Sequence, residues 1–171
     1  MTQLIIPALK NQSEEKLFPK KECFFPKILT EIGGEALLRK VLKNILFNID
    51  ISSIILIAEK DILTKYSLEK VCDFNGSPEL KIVSINGETS GALCTILMSL
   101  DMINRKEDIL VANNDIIHRH NIQNSVNFFK EKSAEAGVMT FKSSHPKWSY
   151  VQLENERVLM LSLIHISEPT R

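Results

Sequence analysis

Cysteine is sparse and poorly spaced for chemistry: Cys23, Cys72 and Cys94 are the three in the chain, far apart and without a Cys-x-x-Cys pair. That excludes a zinc knuckle and argues against a disulfide framework. Such usage fits a reducing, cytoplasmic home. An excess of one charge is missing as well, since Lys plus Arg and Asp plus Glu each total 21 and the net charge is zero at pH 7. Nothing global therefore points to nucleic acid or an anionic membrane as partner. Long apolar runs are also absent. The opening Leu4-Ile5-Ile6 soon meets Pro7 and Lys10, short of a signal peptide, and no stretch reaches membrane length. No internal repeat or low-complexity linker divides the chain.

What is present is enough apolar residue, 44% of 171, for one domain with a core. Leu4 to Ala8 reads as a first strand buried on both faces. Gly33-Gly34 supplies a turn, and Glu35 to Phe47 places Leu37, Leu38, Val41, Leu42, Ile45 and Leu46 at helical spacing. Ile54 to Ala58 is a second continuous, β-branched run. A helix is expected over 61–74, with Leu63, Tyr66, Leu68 and Val71 inward and Asn75-Gly76-Ser77-Pro78 as its stop. Lys81 to Ile85 is a third strand. Ala92 to Ile103 then carries Leu93, Ile96, Leu97, Leu100 and Ile103 at helical spacing, and Asp108 to Ala112 is a fourth strand. A helix around 123–132 with Val126 and Phe129 inward, a strand at 137–141 and a hairpin over 150–159 turning at Glu154-Asn155-Glu156 complete the chain. Strands alternating with helices specify an α/β domain on a mostly parallel sheet. In such sheets ligands collect beyond the carboxyl ends of the strands, where the loops after Ala8, Ile85 and Ala112 would converge.

Two residues stand out at those ends. Lys27, in Phe25-Pro26-Lys27-Ile28-Leu29, presents a cation able to hold phosphate. Asp115, closing Asn113-Asn114-Asp115, presents a carboxylate at a strand end able to hold a divalent cation. The plainer alternatives are an exposed lysine after a turn proline and an aspartate capping the following segment. A lysine excess between residues 10 and 27 reads most simply as a solvated loop. His118 and His120 with Asp115 have a spacing that a transition-metal cluster can use, but with no fourth ligand evident they read as solvated loop histidines. His145, Trp148 and Tyr150 read as a ligand platform or as hairpin packing.

In order, Leu4 to Ala8, Phe25-Pro26-Lys27-Ile28-Leu29-Thr30-Glu31-Ile32-Gly33-Gly34, Thr89-Ser90-Gly91-Ala92, Leu110-Val111-Ala112-Asn113-Asn114-Asp115 and His145-Pro146-Lys147-Trp148-Ser149-Tyr150-Val151 resemble segments of nucleotidyltransferases that activate sugar phosphates or phosphorylated alcohols. The last is closest to a capsule-biosynthesis type. The resemblance implies a Rossmann-like, glycosyltransferase-A-like three-layer fold. It also implies a nucleoside triphosphate and a phosphorylated small molecule as partners, and Mg2+ as cofactor. By the same resemblance Lys27 contacts the triphosphate and the nucleophile, and Asp115 binds magnesium. Gly91, with Ala92, lets the base lie against the backbone, and Ala8 and Leu9 offer backbone contacts. Thr89 or Ser90 would equally serve as a helix cap.

The chain departs from that family after the first strand. Leu9-Lys10-Asn11-Gln12-Ser13 stands where relatives carry a glycine-rich loop with an arginine, so the backbone loses the freedom to wrap phosphates, and lysine is no bidentate substitute. A nucleotide-sugar-dependent glycosyltransferase, or a non-catalytic binding relative, are the rival expectations. Residues 161–171 resemble translated sequencing-adapter read-through, so residues 1–160 are expected to be an incomplete, aggregation-prone domain and the tail non-native.

Overall fold

The computed structural model describes residues 1–9, 26–76, 78–87, 89–144 and 148–162. Expectations resting on the lysines of 10–25, on Cys23, on His145-Pro146-Lys147 or on 163–171 lie outside them. The chain forms two compact units, Met1–Asn124 and Ser125–Arg171.

The first unit runs β1 (Thr2–Ala8), β2 (Glu31–Ile32), β3 (Glu35–Ala36), α1 (Leu37–Asn48), β4 (Ile51–Glu59), α2 (Lys60–Tyr66), α3 (Leu68–Cys72), β5 (Glu79–Ile85), α4 (Ala92–Leu97) and β6 (Asp108–Val111), and α5 (Ile122–Glu131) straddles the boundary. Its sheet has the order β5-β4-β1-β6, every neighbouring pair parallel. The expected α/β, Rossmann-like class is therefore the class observed. The chain steps from β1 to β4 to β5 on one side, then returns to place β6 on the other side of β1. That reversal makes the β1/β6 seam the topological switch point, where such sheets open a crevice at their carboxyl edge.

Burial explains the strands. Leu4, Ile5, Ile6 and Ala8 of β1 and Ile54 to Ala58 of β4 are buried throughout, as two-sided strands must be. Alternate residues Ile5, Ile55 and Ile57 share one face with Ile85, and Leu9, Ile96 and Ile103 pack against them. At the opposite end of the strands, the buried Gln3 side chain donates to Ser53 Oγ (3.0 Å) and accepts from the Asn104 amide (2.8 Å), which satisfies its polar atoms.

Helix α1 buries Leu37, Leu38, Val41, Leu42 and Ile45, as its spacing requires. The two-residue turn ahead of it needs glycine, because Gly33 and Gly34 have φ of 57° and 82°. Arg39 on α1 donates to the carbonyls of Val71 and Asp73, both at 2.9 Å, and lies over the Phe74 ring. This fastens α1 to the end of α3.

Three expectations need correction. The helix foreseen over 61–74 is broken at Ser67, whose φ is 49°, and the phase resets there: Ile62, Leu68 and Cys72 are buried, whereas Leu63, Tyr66 and Val71 are half-buried. The helix foreseen over 92–103 stops at Leu97 and gives way to a 3-10 turn at Leu100–Met102. Leu93, Leu97 and Leu100 are exposed there, while Thr95 and Ser99 are buried. Both hydroxyls are satisfied by their own turns, Thr95 donating to the Gly91 carbonyl and Ser99 to that of Ile96. The strand foreseen at 137–141 is irregular, with no strand pairing among the described residues.

In the second unit β7 (Tyr150–Glu154) and β8 (Arg157–Ser162) pair antiparallel as the expected hairpin, and β8 takes in the first two residues of the presumed tail. Its loop residues Asn155 and Glu156 have φ of 47° and 66°, the mirror-type turn favoured between twisted strands. Phe141 and Trp148 meet edge to face at 5.1 Å, so Trp148 is engaged in packing.

Candidate functional site

Ladder geometry opens the crevice. β1 and β6 pair from Thr2–Asp108 to Ile5–Val111, and one further bond runs from the Ala112 amide to the Ile5 carbonyl (3.1 Å). Beyond it the next carbonyl on that side, Pro7, accepts a 3.0 Å bond from the Asn114 side-chain amide instead of from backbone. Since N–H and C=O of an extended residue point to the same side, the missing N–H of Pro7 faces this gap. A proline is thereby tolerated inside a central strand.

Lys27 reaches the gap from a short, well-anchored turn. Pro26 has φ of −56°, Leu29 and Thr30 donate back to the Pro26 and Lys27 carbonyls (2.8 and 3.0 Å), and Ile28 is buried where the turn packs on α1. Asp115 arrives from the loop after β6. The two side chains meet directly, Lys27 Nζ to Asp115 Oδ2 at 2.6 Å across 88 residues of sequence. Lys27 remains 47% exposed and Asp115 29%. A pair this wet contributes at most about 1 kcal/mol, so fold stability is a weak reason for placing these charges together.

The plain alternative for Asp115, a cap on the following segment, does not apply. α5 begins seven residues later, and the bond characteristic of its cap comes from Asn121, whose Oδ1 accepts from the Asn124 amide at 3.4 Å. Among the described residues no group of three His, Cys, Asp or Glu side chains is placed to hold a metal, so nothing favours the rival reading of His118 and His120 as a cluster. His118 is fixed through its backbone instead. Burial pushes its imidazole below the ordinary histidine range, with nearby His120 adding to the effect.

Ala8 is buried beside Ala58 at the end of β1, and Leu9 spends its side chain on the core, which leaves backbone facing the carboxyl edge. Gly91 and Ala92 reach that edge by another route, leaving β5 and starting α4, which packs back on β1. Gly91 has φ of 141°, and open space lies where a side chain would project. The Thr95 hydroxyl donates to the Gly91 carbonyl (3.1 Å) and accepts a 2.6 Å bond from the Thr89 hydroxyl, which lies 3.2 Å from the same carbonyl; no side chain caps α4. These threonines fix the loop rather than the helix end.

Sequence reading missed Asn114 and Asn44. Asn44, on α1 between the buried Val41 and Ile45, donates to the His118 carbonyl (2.9 Å) and accepts from its amide (2.8 Å). The available signal was a polar residue at the margin of an apolar stripe. There are two surface hollows, one lined by residues between Glu69 and Leu80 and one of about 590 Å³ along Gly34, Arg39, Tyr66 and Lys70. Neither contains Lys27 or Asp115, and the charge placement at the switch point is the better guide to chemistry.

Known proteins share the α/β fold of this chain. No curated protein matches the chain. Among solved structures it is similar to a nucleoside-diphosphate-sugar pyrophosphorylase from Vibrio cholerae RC9, with 15% identity over 92% of this chain and 66% of that one and a TM-score of 0.67. HddC from Yersinia pseudotuberculosis in complex with GMP-PN is similar at 17% identity, over 96% of this chain and 70% of that one, TM-score 0.67. A CMP:2-keto-3-deoxy-manno-octonic acid synthetase complexed with CTP gives 12% identity, 99% and 66% coverage and a TM-score of 0.64. At such identities these structures establish the fold alone, and the chain spans 66% of the length of the first of them. The family model described as nucleotidyl transferase matches residues 15–161, most of the sequence, and the chain belongs to that family.

Proposed function

We propose that this chain carries the active cleft of a nucleotidyltransferase that activates a phosphorylated sugar or small alcohol. In that reaction a phosphate oxygen of the acceptor attacks the α-phosphorus of a nucleoside triphosphate. The bond from the α-phosphorus to the bridging oxygen breaks, and pyrophosphate leaves with the electron pair. The observation that carries this reading is the Lys27–Asp115 pair at the switch point of the sheet.

Each member has a distinct task. The Lys27 ammonium lowers repulsion between two anionic reactants and stabilises charge building on the α-phosphoryl oxygens. Asp115 is the carboxylate that would hold magnesium, a hard ion that keeps several waters and needs one or two protein carboxylates with substrate phosphates; a single exposed acid suits that donor set. The ion would supply charge neutralisation along the polyphosphate. Until a ligand arrives, each charge offsets the other. Ala8, Leu9, Gly91 and Ala92 offer backbone against which a base can lie, Gly91 because its carbon bears no substituent. Family membership supports the reaction class. The segment 145–151 supports a capsule-type acceptor, and Cys72 and Cys94, the free cysteines among the described residues, support work in the cytoplasm; no helix among the described residues is long and apolar enough to cross a membrane.

One observation favours a second reading: the glycine-free stretch Leu9 to Ser13 fits a relative that binds nucleotide without turning it over. Pyrophosphate release from each of the four ribonucleoside triphosphates, with magnesium and a panel of sugar phosphates, separates the two. The transferase reading expects release that disappears in Lys27→Ala and Asp115→Ala. Magnesium-dependent binding without any release would favour the non-catalytic relative.

A further inference from the structure

Asp115 sits on a loop that would be free to wander if only the chain held it. Two asparagine side chains flank it and tie it to different elements. On one side Asn114 reaches the Pro7 carbonyl of β1 (3.0 Å). On the other, Asn44 of α1 makes a two-bond exchange with the backbone of His118, accepting from its amide (2.8 Å) and donating to its carbonyl (2.9 Å). An asparagine amide offers an N–H and a C=O side by side, as a backbone neighbour would, so Asn44 acts as a one-residue piece of ladder. The contact is partly buried, where a paired amide is worth more and an unpaired one costs more.

Asn44 has a second connection to the site. The helix that carries it also packs on the turn bearing Lys27, whose Ile28 is buried. One rigid element therefore sets both sides of the cleft: it supports the ammonium by packing and the carboxylate through the Asn44 amide.

We propose that Asn44 is a positioning residue that fixes Asp115 relative to Lys27 and thereby sets how strongly the site responds to magnesium. This rests on the nucleotidyl-transfer reading. Substitutions that loosen the support of a metal-binding group typically cost about 10–100-fold in metal affinity or activity. Asn44→Ala removes both bonds. Asn44→Asp keeps an oxygen for the His118 amide but sets a second oxygen against its carbonyl, so it too should loosen the loop.

Two measurements on the full chain test this. The first is amide hydrogen exchange of residues 113–120. The second is calorimetric titration with each ribonucleoside triphosphate across a magnesium series. In Asn44→Ala the His118 amide should exchange at least about tenfold faster, and the magnesium concentration for half-maximal triphosphate binding should rise about tenfold or more, with magnesium-free binding unchanged. Circular dichroism identifies folded variants, and if Asn44→Ala does not fold, Asn44→Asp decides by the same two readouts. A folded variant with parental exchange at His118, or with a parental magnesium midpoint, would overturn the inference. If the parent binds no triphosphate, the transferase reading falls and this inference with it; if the parent binds and the variant matches it, only the inference falls.

Discussion

β4 and β6 flank the same strand, β1, and are spelled in nearly the same apolar alphabet, yet they live in different surroundings. Ile54 to Ala58 of β4 are wholly buried, whereas Ile109 and Val111 of β6 are each 48% exposed. On the β4 side the ladder with β1 continues through Ala8–Ala58. On the β6 side it ends near Ile5, and the Asn114 side chain takes over. The difference separates two duties. One flank of β1 holds the fold together; the other leaves room for charged groups to work.

The sharpest way to break that division is to exchange its costs. Lys27→Ala and Asp115→Ala should each lower pyrophosphate release by about 100-fold or more, the scale of losing a group that stabilises transition-state charge, while shifting the thermal midpoint little, because so exposed a pair contributes at most about 1 kcal/mol. A large loss of stability in either would place the pair among the structural contacts instead. On the opposite flank, Leu56→Ala should cost about 2–5 kcal/mol by opening a cavity. Val111→Ala, already half in water, should cost less than about 1 kcal/mol. Urea unfolding of the two variants measures this directly, and equal costs would end the distinction between the strands.

Smaller effects sharpen the same contrast. Cys72 is buried, and burial pushes its thiol up to about 12, whereas Cys94 is exposed. Iodoacetamide at pH 8, read by peptide mass spectrometry, should label Cys94 at least about tenfold faster than Cys72. The smallest effect belongs to His118. Its imidazole is held below the ordinary range, so as pH falls through about 6.5 the unfolded chain takes up a proton before the folded one does. Its contribution is therefore present above that pH and is lost on acidification. Between pH 7.5 and 5.5 the parent should lose slightly more stability than His118→Gln.

Much of this was legible in the sequence because it depends on runs and periods. Four strands, the stripe of α1 and the turn at Gly33-Gly34 follow from apolar spacing and backbone freedom. Asp115 was legible as a charge next to a strand end and Lys27 as a cation in its Pro-Lys segment, although only the fold brings them within 2.6 Å. Periodicity failed where the chain broke its own phase. A positive φ at Ser67 rotated the face that 61–74 would have buried, and at α4 Thr95 and Ser99, polar by composition, satisfied their hydroxyls locally and went inside. Asn44 and Asn114 were illegible for another reason: their partners are backbone atoms 74 and 107 residues away, and backbone carries no letter in the sequence.

Pro7 also has a bearing on how such a cleft survives mutation. Two neighbouring parallel strands tend to fasten together for as long as each can offer donors, and apolar substitutions after Ala112 would ordinarily let β6 advance along β1 and seal the gap. A ring in place of one donor acts like the stop at the end of a zip fastener. Drift in the facing strand can change what the opening recognises, but it cannot readily close it.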